Sequence, residues 1–400
     1  MSGTRVRIGL IGSGFLAETR ARCYRRVHGM QVELFAVAAR GGPRAREFAG
    51  RHGIPHVAAG ADALLAMPEV DLVDLCVPNA LHRPLAEAAA RAGKAVVCTK
   101  PLTAYVGQDL PPEAGDAMVA GVDRARMLAV ATADAEAMVQ ACDRAGVPLC
   151  YGENWVYAPA IRRARELAAA AGGVALELRG GEQHSGSHSP FSRSWRHAGG
   201  GALLRLGAHP LGAILHWKHR EGVRLHGRPT RAVAVSAEVA DLSGARGLDP
   251  ANTRIATGWA PVENWGCAVL HFDDGTRALA WGSDNVLGGM ESRLTVHGSN
   301  CHFTCDLSPN PMLRAYASGD RTFGDEYLLE KLDTQAGWST PMPDEDWTSG
   351  QQAMAQAFCE AVARREAPES DGALGREVVR VLYAAYQSAA EGRRVAIAGG

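Results

Sequence analysis

Residues 5–11, Arg-Val-Arg-Ile-Gly-Leu-Ile, form a short segment built on Val, Ile and Leu that leads into Gly12-Ser13-Gly14-Phe15-Leu16-Ala17, and a polar helical stretch follows over 18–27. A strand, a glycine turn and a helix in that order leave few folds open. Glycine at 12 permits a tight turn, glycine at 14 lets a pyrophosphate approach the backbone, and small Ala17 lets helix and strand pack closely. The phosphates would rest on the helix N-terminus, against the backbone of Phe15 and Leu16. A lone GxGxxA is a weak signal, but an alternation of elements continues after it: strand 32–39, helix 43–52, strand 72–77, helix 84–92, strand 95–98. The pattern predicts an α/β, doubly wound parallel sheet over residues 1–150 that binds a dinucleotide.

The second strand ends Val37-Ala38-Ala39-Arg40, without the acidic residue that grips the adenosine ribose of NAD. Small Ala39 leaves room for a 2′-phosphate, and Arg40 and Arg44 offer guanidinium groups to pair with it, so NADP is favoured over NAD. The other reading is that both arginines are solvated surface charges. The third strand runs into Pro78-Asn79-Ala80-Leu81-His82, and the fourth ends Cys98-Thr99-Lys100-Pro101. Ligands of open parallel sheets sit beyond the carboxyl ends of the strands. Pro78, Asn79, His82 and Lys100 are therefore candidates for the nicotinamide end.

At 400 residues the chain suggests a second domain, over 151–400, and two domains imply a cleft. Lys+Arg at 42 nearly balances Asp+Glu at 43, so no basic field exists to hold nucleic acid. Nine cysteines without paired spacing fit reduced thiols and a cytoplasmic location. No apolar run approaches the ~18 residues that span a membrane. A small-molecule partner is what remains.

The second half opens with a strand over 175–179 and a polar loop holding Glu182, His184, Ser187, His188 and Pro190. His184, His188 and Trp195 suit a sugar-sized pocket, with the aromatic face against C–H groups and polar tips on hydroxyls. A metal site from Glu182, His184 and His188 is disfavoured, because the residues fall in a loop rather than on a helix face. Cys301, His302 and Cys305 read as part of a strand pair. A hairpin spans 267–281 through Asp273-Asp274-Gly275-Thr276. Asn264, Trp265 and Asp284 lie near it, in orientations the sequence does not give. The stretch GGGALLRLGAHPLGAILHW (199–217) reads as a glycine-rich lead into one helix, with Arg205 and His209 at i and i+4 on one face.

Taken together, the glycine turn, PNALH, TKP, YGENWVYAP (151–159), GGG…GAH (199–209) and the closing VVRVLYAAYQSAAEGRRVAI (378–397) resemble the Gfo/Idh/MocA oxidoreductases, the glucose-fructose oxidoreductase and inositol dehydrogenase family. The resemblance implies a Rossmann domain followed by an α+β domain on a large open, mostly antiparallel sheet, which carries the substrate pocket and the contacts of a homodimer or homotetramer. It implies NAD(P)-dependent hydride transfer to or from a sugar, sugar acid or cyclitol, with Lys100 and His209 at the family's catalytic positions. Related folds also include glycosidases or epimerases with tightly held NAD(P), and non-catalytic cofactor sensors. Two positions depart from the family pattern: Thr99 stands where a glutamate is usual, and Arg205 where an aspartate precedes the histidine. Arg205 joins Lys100 and His209 as a catalytic candidate, holding His209 neutral and making the pocket cationic, which points to an anionic substrate. An irregular insertion over about 104–130 is expected to act as a lid or specificity loop, the other reading being a disordered surface excursion.

Overall fold

The computed structural model describes residues 5–397 apart from 188, 250, 260, 309–312, 329 and 333. It divides into two compact units: 1–104 with 129–157 and 350–380, and 105–128 with 158–349 and 381–400. The chain thus crosses between units more often than a single cut at 150 implies.

Six strands form the sheet of the first unit: β1 (Arg5–Ile11), β2 (Gln31–Ala38), β3 (His56–Val57), β4 (Leu72–Leu75), β5 (Ala95–Thr99) and β6 (Leu149–Gly152). Their order is 3-2-1-4-5-6 and all pairs are parallel, so the strand order reverses between β1 and β4, where dinucleotides bind in such sheets. All four residues of β4 are buried, as expected of a strand covered on both faces. One of them is Asp74. Tyr24 donates its hydroxyl to Asp74 at 2.8 Å and the Arg20 guanidinium lies 3.3 Å away. Burial pushes the Asp74 carboxyl up while Arg20 pulls it down. Arg20 also donates to Gln351 at 3.2 Å, and Ser370 donates through its hydroxyl to the Tyr151 carbonyl at 2.6 Å. Buried polar groups are satisfied here by residues distant in sequence, which ties 350–380 into this unit.

The second unit carries β7 (Ala175–Gln183), β8 (Ala232–Ala240), β9 (Trp265–Phe272), β10 (Arg277–Ser283), β11 (Glu291–Gly298), β12 (His302–Asp306), a separate pair β13 (Ala315–Ala317) and β14 (Gly337–Ser339), and β15 (Val395–Ala396). The large sheet runs 12-11-7-10-9-8-15 and is antiparallel except for the central pair β7 and β10. Leu178, Leu270, Ala278, Ala280, Leu294 and Val296 are buried in it, and helix Ala208–His226 packs on β7 and β10. Strand β7 is longer than the sequence reading. It continues through Gly180 and Gly181 to Gln183, which moves Glu182 from a loop onto a strand.

The segment 199–217 is not one helix. A short helix, Ala202–Arg205, ends before Ala208–His226 begins, so Arg205 and His209 are not neighbours on a single face. Nor is the insertion irregular throughout. It holds a short helix, Asp116–Ala120, and from Arg124 belongs to the long helix Arg124–Ala145.

Candidate functional site

In the first unit the glycine turn is set by contact. Gly12 has φ +117°, and a Cβ there would lie 2.1 Å from the carbonyl oxygen of Cys76, backbone that does not yield. Gly14 differs: a Cβ there would meet nothing within 4 Å. It is the N-cap of helix Phe15–Tyr24, with no side chain capping the first turn, and Ala17 is fully buried below. Open space above uncapped amides fits a dinucleotide pyrophosphate. Phe15 is exposed and Leu16 half-buried at this helix start. Beyond β2, Ala39 is half-buried, and Arg40 and Arg44 are exposed around the start of helix Gly42–His52.

Pro78 is exposed and Asn79 half-buried at the carboxyl end of β4, and Lys100 is half-buried at the end of β5. His82 has another place. Its ring is fully buried, with Nδ1 3.1 Å from the Pro101 carbonyl and 3.2 Å from that of Leu102, and Nε2 3.0 Å from the Val77 carbonyl. Burial pushes its pKa down against the pull of those carbonyls. His82 is thus a brace that joins the loop after β4 to the Lys100-Pro101 segment, rather than a group presented to the nicotinamide.

In the second unit the glycine run 199–201 makes a tight seat for a carboxylate. Glu263 is buried and accepts from the Gly201 amide at 3.0 Å, the Leu203 amide at 3.1 Å and the Tyr386 hydroxyl at 2.7 Å. A Cβ on Gly201 would lie 1.8 Å from the Glu263 carbonyl oxygen. Burial pushes the Glu263 carboxyl up and these donors oppose it. The short helix is thereby fixed, and Arg205 leaves its end pointing to β10. It pairs with Asp284, which is fully buried just past that strand, and its guanidinium lies 5.1 Å from the ring centre of Trp259. Asp284 also lies 3.5 Å from Nδ1 of His184, and Lys331 adds positive potential from a buried position where it donates to the Gly186 carbonyl at 2.8 Å. Burial raises the Asp284 pKa, with Arg205 as the main opposing influence. The Arg205 charge is therefore matched rather than presented free to a ligand, which removes the basis for a cationic pocket built on it.

His209 meets a different carboxylate. Its Nε2 lies 4.0 Å from Oε1 of Glu182, which faces it from β7. His184 is buried, and its Nδ1 accepts from the Gly186 amide at 3.0 Å. His188 lies outside the described residues. Among the described residues no group of three or more potential metal ligands comes together. His302 pairs instead with His297 across β11 and β12, Nδ1 to Nδ1 3.0 Å, and burial pushes the Cys305 thiol up to about 12.

Trp195 offers a sugar little open face. It is 2% exposed, donates to the Pro261 carbonyl at 2.9 Å, and has the Arg124 guanidinium 4.5 Å from its ring centre. Arg124 belongs to the insertion, whose other contacts follow the same line. Arg196 donates to the carbonyls of Pro112 and Ala114, and Asp116 accepts from the Ser194 hydroxyl at 2.8 Å and the Arg196 amide at 2.9 Å. The insertion thus buttresses segment 194–196, and the Tyr383 hydroxyl links the Tyr105 amide (2.6 Å) to the Gly199 carbonyl (2.7 Å).

Asp284 and Glu263 are the residues whose weight the sequence did not show. Asp284 stands just past a hairpin strand, a visible position, but its partner is 79 residues away. Nothing local marks Glu263 as a cap.

Comparison with known proteins agrees with the fold. Residues 6–131 match the NAD-binding Rossmann fold of the Gfo/Idh/MocA oxidoreductases, and residues 182–397 match that family's C-terminal alpha/beta domain. The chain belongs to the Gfo/Idh/MocA oxidoreductase family. It is similar to a D-apiose dehydrogenase of Paraburkholderia graminis, 33% identical over 158 residues, a match spanning 40% of this chain and 35% of that protein. A D-xylose 1-dehydrogenase (NADP(+)) of Haloferax volcanii is 24% identical over 92% of this chain and 93% of its own. Among solved structures, GenD2 from gentamicin A biosynthesis, in complex with NAD, superposes with a TM-score of 0.78 at 27% identity, covering 100% of this chain and 98% of that one.

Proposed function

We propose that the protein is an NAD(P)-dependent dehydrogenase or reductase acting on a CH–OH group of a sugar or cyclitol. The observation that carries this reading is in the first unit: uncapped amides under open space at Gly14, beside the strand-order reversal, with Lys100 at the end of β5. When bound, the nicotinamide supplies the hydride acceptor or donor. Gly14, Phe15 and Leu16 would hold the pyrophosphate, and Pro78 and Asn79 would lie toward the nicotinamide. Lys100 hydrogen-bonds the reacting oxygen and stabilises charge on it. In the oxidising direction His209 would accept the proton that the hydroxyl loses.

Exposed Arg40 and Arg44 support NADP over NAD. The relatives go both ways, one named for NADP(+) and one structure holding NAD. An anionic substrate gains no support from Arg205, whose charge Asp284 meets, so a neutral polyol is the better fit. Relatives named as dehydrogenases and reductases do not favour the glycosidase, epimerase or sensor readings. Association of two or four copies through the open sheet is supported by exposed Leu176 and Val269 on its strands, and a reducing, cytoplasmic setting by nine cysteines that form no disulfide. Among the described residues, no helix is long and apolar enough to cross a membrane.

The test is oxidation of D-xylose, D-glucose and myo-inositol with NADP+ and with NAD+, followed by nicotinamide absorbance. Turnover with at least one of them, faster with NADP+, is expected. Binding of neither cofactor would overturn the reading.

A further inference from the structure

Helix Ala208–His226 starts directly against β7. A Cβ on Gly180 would lie 2.6 Å from Cβ of Pro210, so only glycine lets the first helical turn rest on the strand. Two residues on, along the same face of β7, comes Glu182, and immediately before Pro210 comes His209. The contact that requires Gly180 therefore also brings a carboxylate to the imidazole, 4.0 Å apart, with side chains 5% and 11% exposed. The second carboxylate oxygen faces the Ser292 hydroxyl at 3.4 Å, from neighbouring β11.

We propose that Glu182 is the positioning residue of His209, supplying from β7 the carboxylate that position 205 does not. The inference rests on the dehydrogenase reading, in which His209 carries the substrate proton. At 4.0 Å the pair is an electrostatic contact rather than a hydrogen bond. A carboxylate at that distance in a buried setting favours the imidazolium formed when the hydroxyl proton arrives. Arg205 would oppose this, but its charge is met by Asp284, which also lies 3.5 Å from Nδ1 of His184. His209 is therefore expected to titrate higher than a histidine beside an unmatched arginine, the reverse of what the sequence alone suggests.

The experiment titrates the His209 ring by nitrogen-correlated NMR in the full-length protein, assigned by loss of its signal in His209→Asn, for the wild type, Glu182→Gln and Glu182→Asp. Glu182→Gln keeps the side-chain shape and should lower the His209 pKa by about 1 unit. Glu182→Asp should keep most of the wild-type value, and the acidic limb of kcat/KM should move with the NMR value. An unchanged titration in Glu182→Gln, or equal shifts in both variants, overturns the inference. Both outcomes are read without turnover. A wild type that oxidises none of the three polyols would strike at the dehydrogenase reading, while the titration would still decide the role of Glu182.

Discussion

The two units carry their chemistry in opposite ways. In the first, the candidate groups sit within short segments, 12–17, 39–44, 78–82 and 99–101, and the work is done largely by backbone: a turn that only Gly12 can make, uncapped amides, and strand ends. In the second, the groups are side chains paired over long separations, Arg205 with Asp284 across 79 residues and Tyr386 with Glu263 across 123. Backbone-built sites are fixed by local conformation and tolerate change around them. Side-chain networks are set by strand register and helix placement, so a charge can move from one element to another while the site persists.

The comparison predicts that replacing an accessible side chain of the first unit's site alters function and leaves stability nearly alone, whereas breaking a pair in the second alters stability first. The largest effect should come from Lys100→Met. Its turnover is expected to fall ~10²- to 10³-fold, the usual cost of losing one donor to a developing oxyanion, with cofactor binding by fluorescence titration and thermal midpoint nearly unchanged. A loss below tenfold would take Lys100 out of the chemistry.

Next comes Asp284→Asn, which leaves Arg205 without its buried counter-charge. Urea unfolding should show a loss of ~3 kcal/mol, and adding Arg205→Met should recover most of it, because removing both members of a buried pair costs far less than removing one. Failure of the double variant to recover would mean that the pair is not what holds this corner.

Smaller still is Arg196→Ala, which releases the carbonyls of Pro112 and Ala114. It should cost ~1–2 kcal/mol and speed hydrogen exchange over 105–123 while leaving the glycine turn at 12–17 protected. Unchanged exchange would show that the insertion is held by Arg124 on Trp195 instead. The smallest effect is expected for Arg40→Ala, about tenfold in the ratio of KM for NADP+ to that for NAD+, with stability unaffected. No change in the ratio would assign Arg40 to plain solvent.

The sequence made the first unit legible because its signals are local. Gly12, Gly14 and Ala17 have the spacing a strand-turn-helix needs, and the strands 5–11 and 95–99 are rich in Val, Ile and Leu or Val and Cys at their buried positions. His82 was harder: its place after the third strand was readable, but not that its ring turns inward to three carbonyls. In the second unit the hairpin at Asp273–Thr276 was readable, the mostly antiparallel sheet followed from the family resemblance, and the site was less legible. Glu182 looked like a loop residue because Gly180-Gly181 resembles a strand ending, whereas those glycines make room for Pro210 and for Trp281, whose ring would meet a Cβ on Gly181 at 2.1 Å. Arg205 and His209 looked adjacent because i and i+4 assumes an unbroken helix. The break at Leu206-Gly207 separates them and sends each to its own carboxylate. Trp195 looked like a sugar platform because no local signal shows that Arg124 covers it.

The central claim is that this chain performs nicotinamide-dependent oxidation of a polyhydroxy substrate through Lys100. It is tested most directly by measuring nicotinamide reduction for wild type and Lys100→Met with the polyol that the wild type turns over fastest. The account predicts steady reduction by the wild type and its near-abolition in Lys100→Met at undiminished cofactor binding. Equal rates in the two proteins would contradict it.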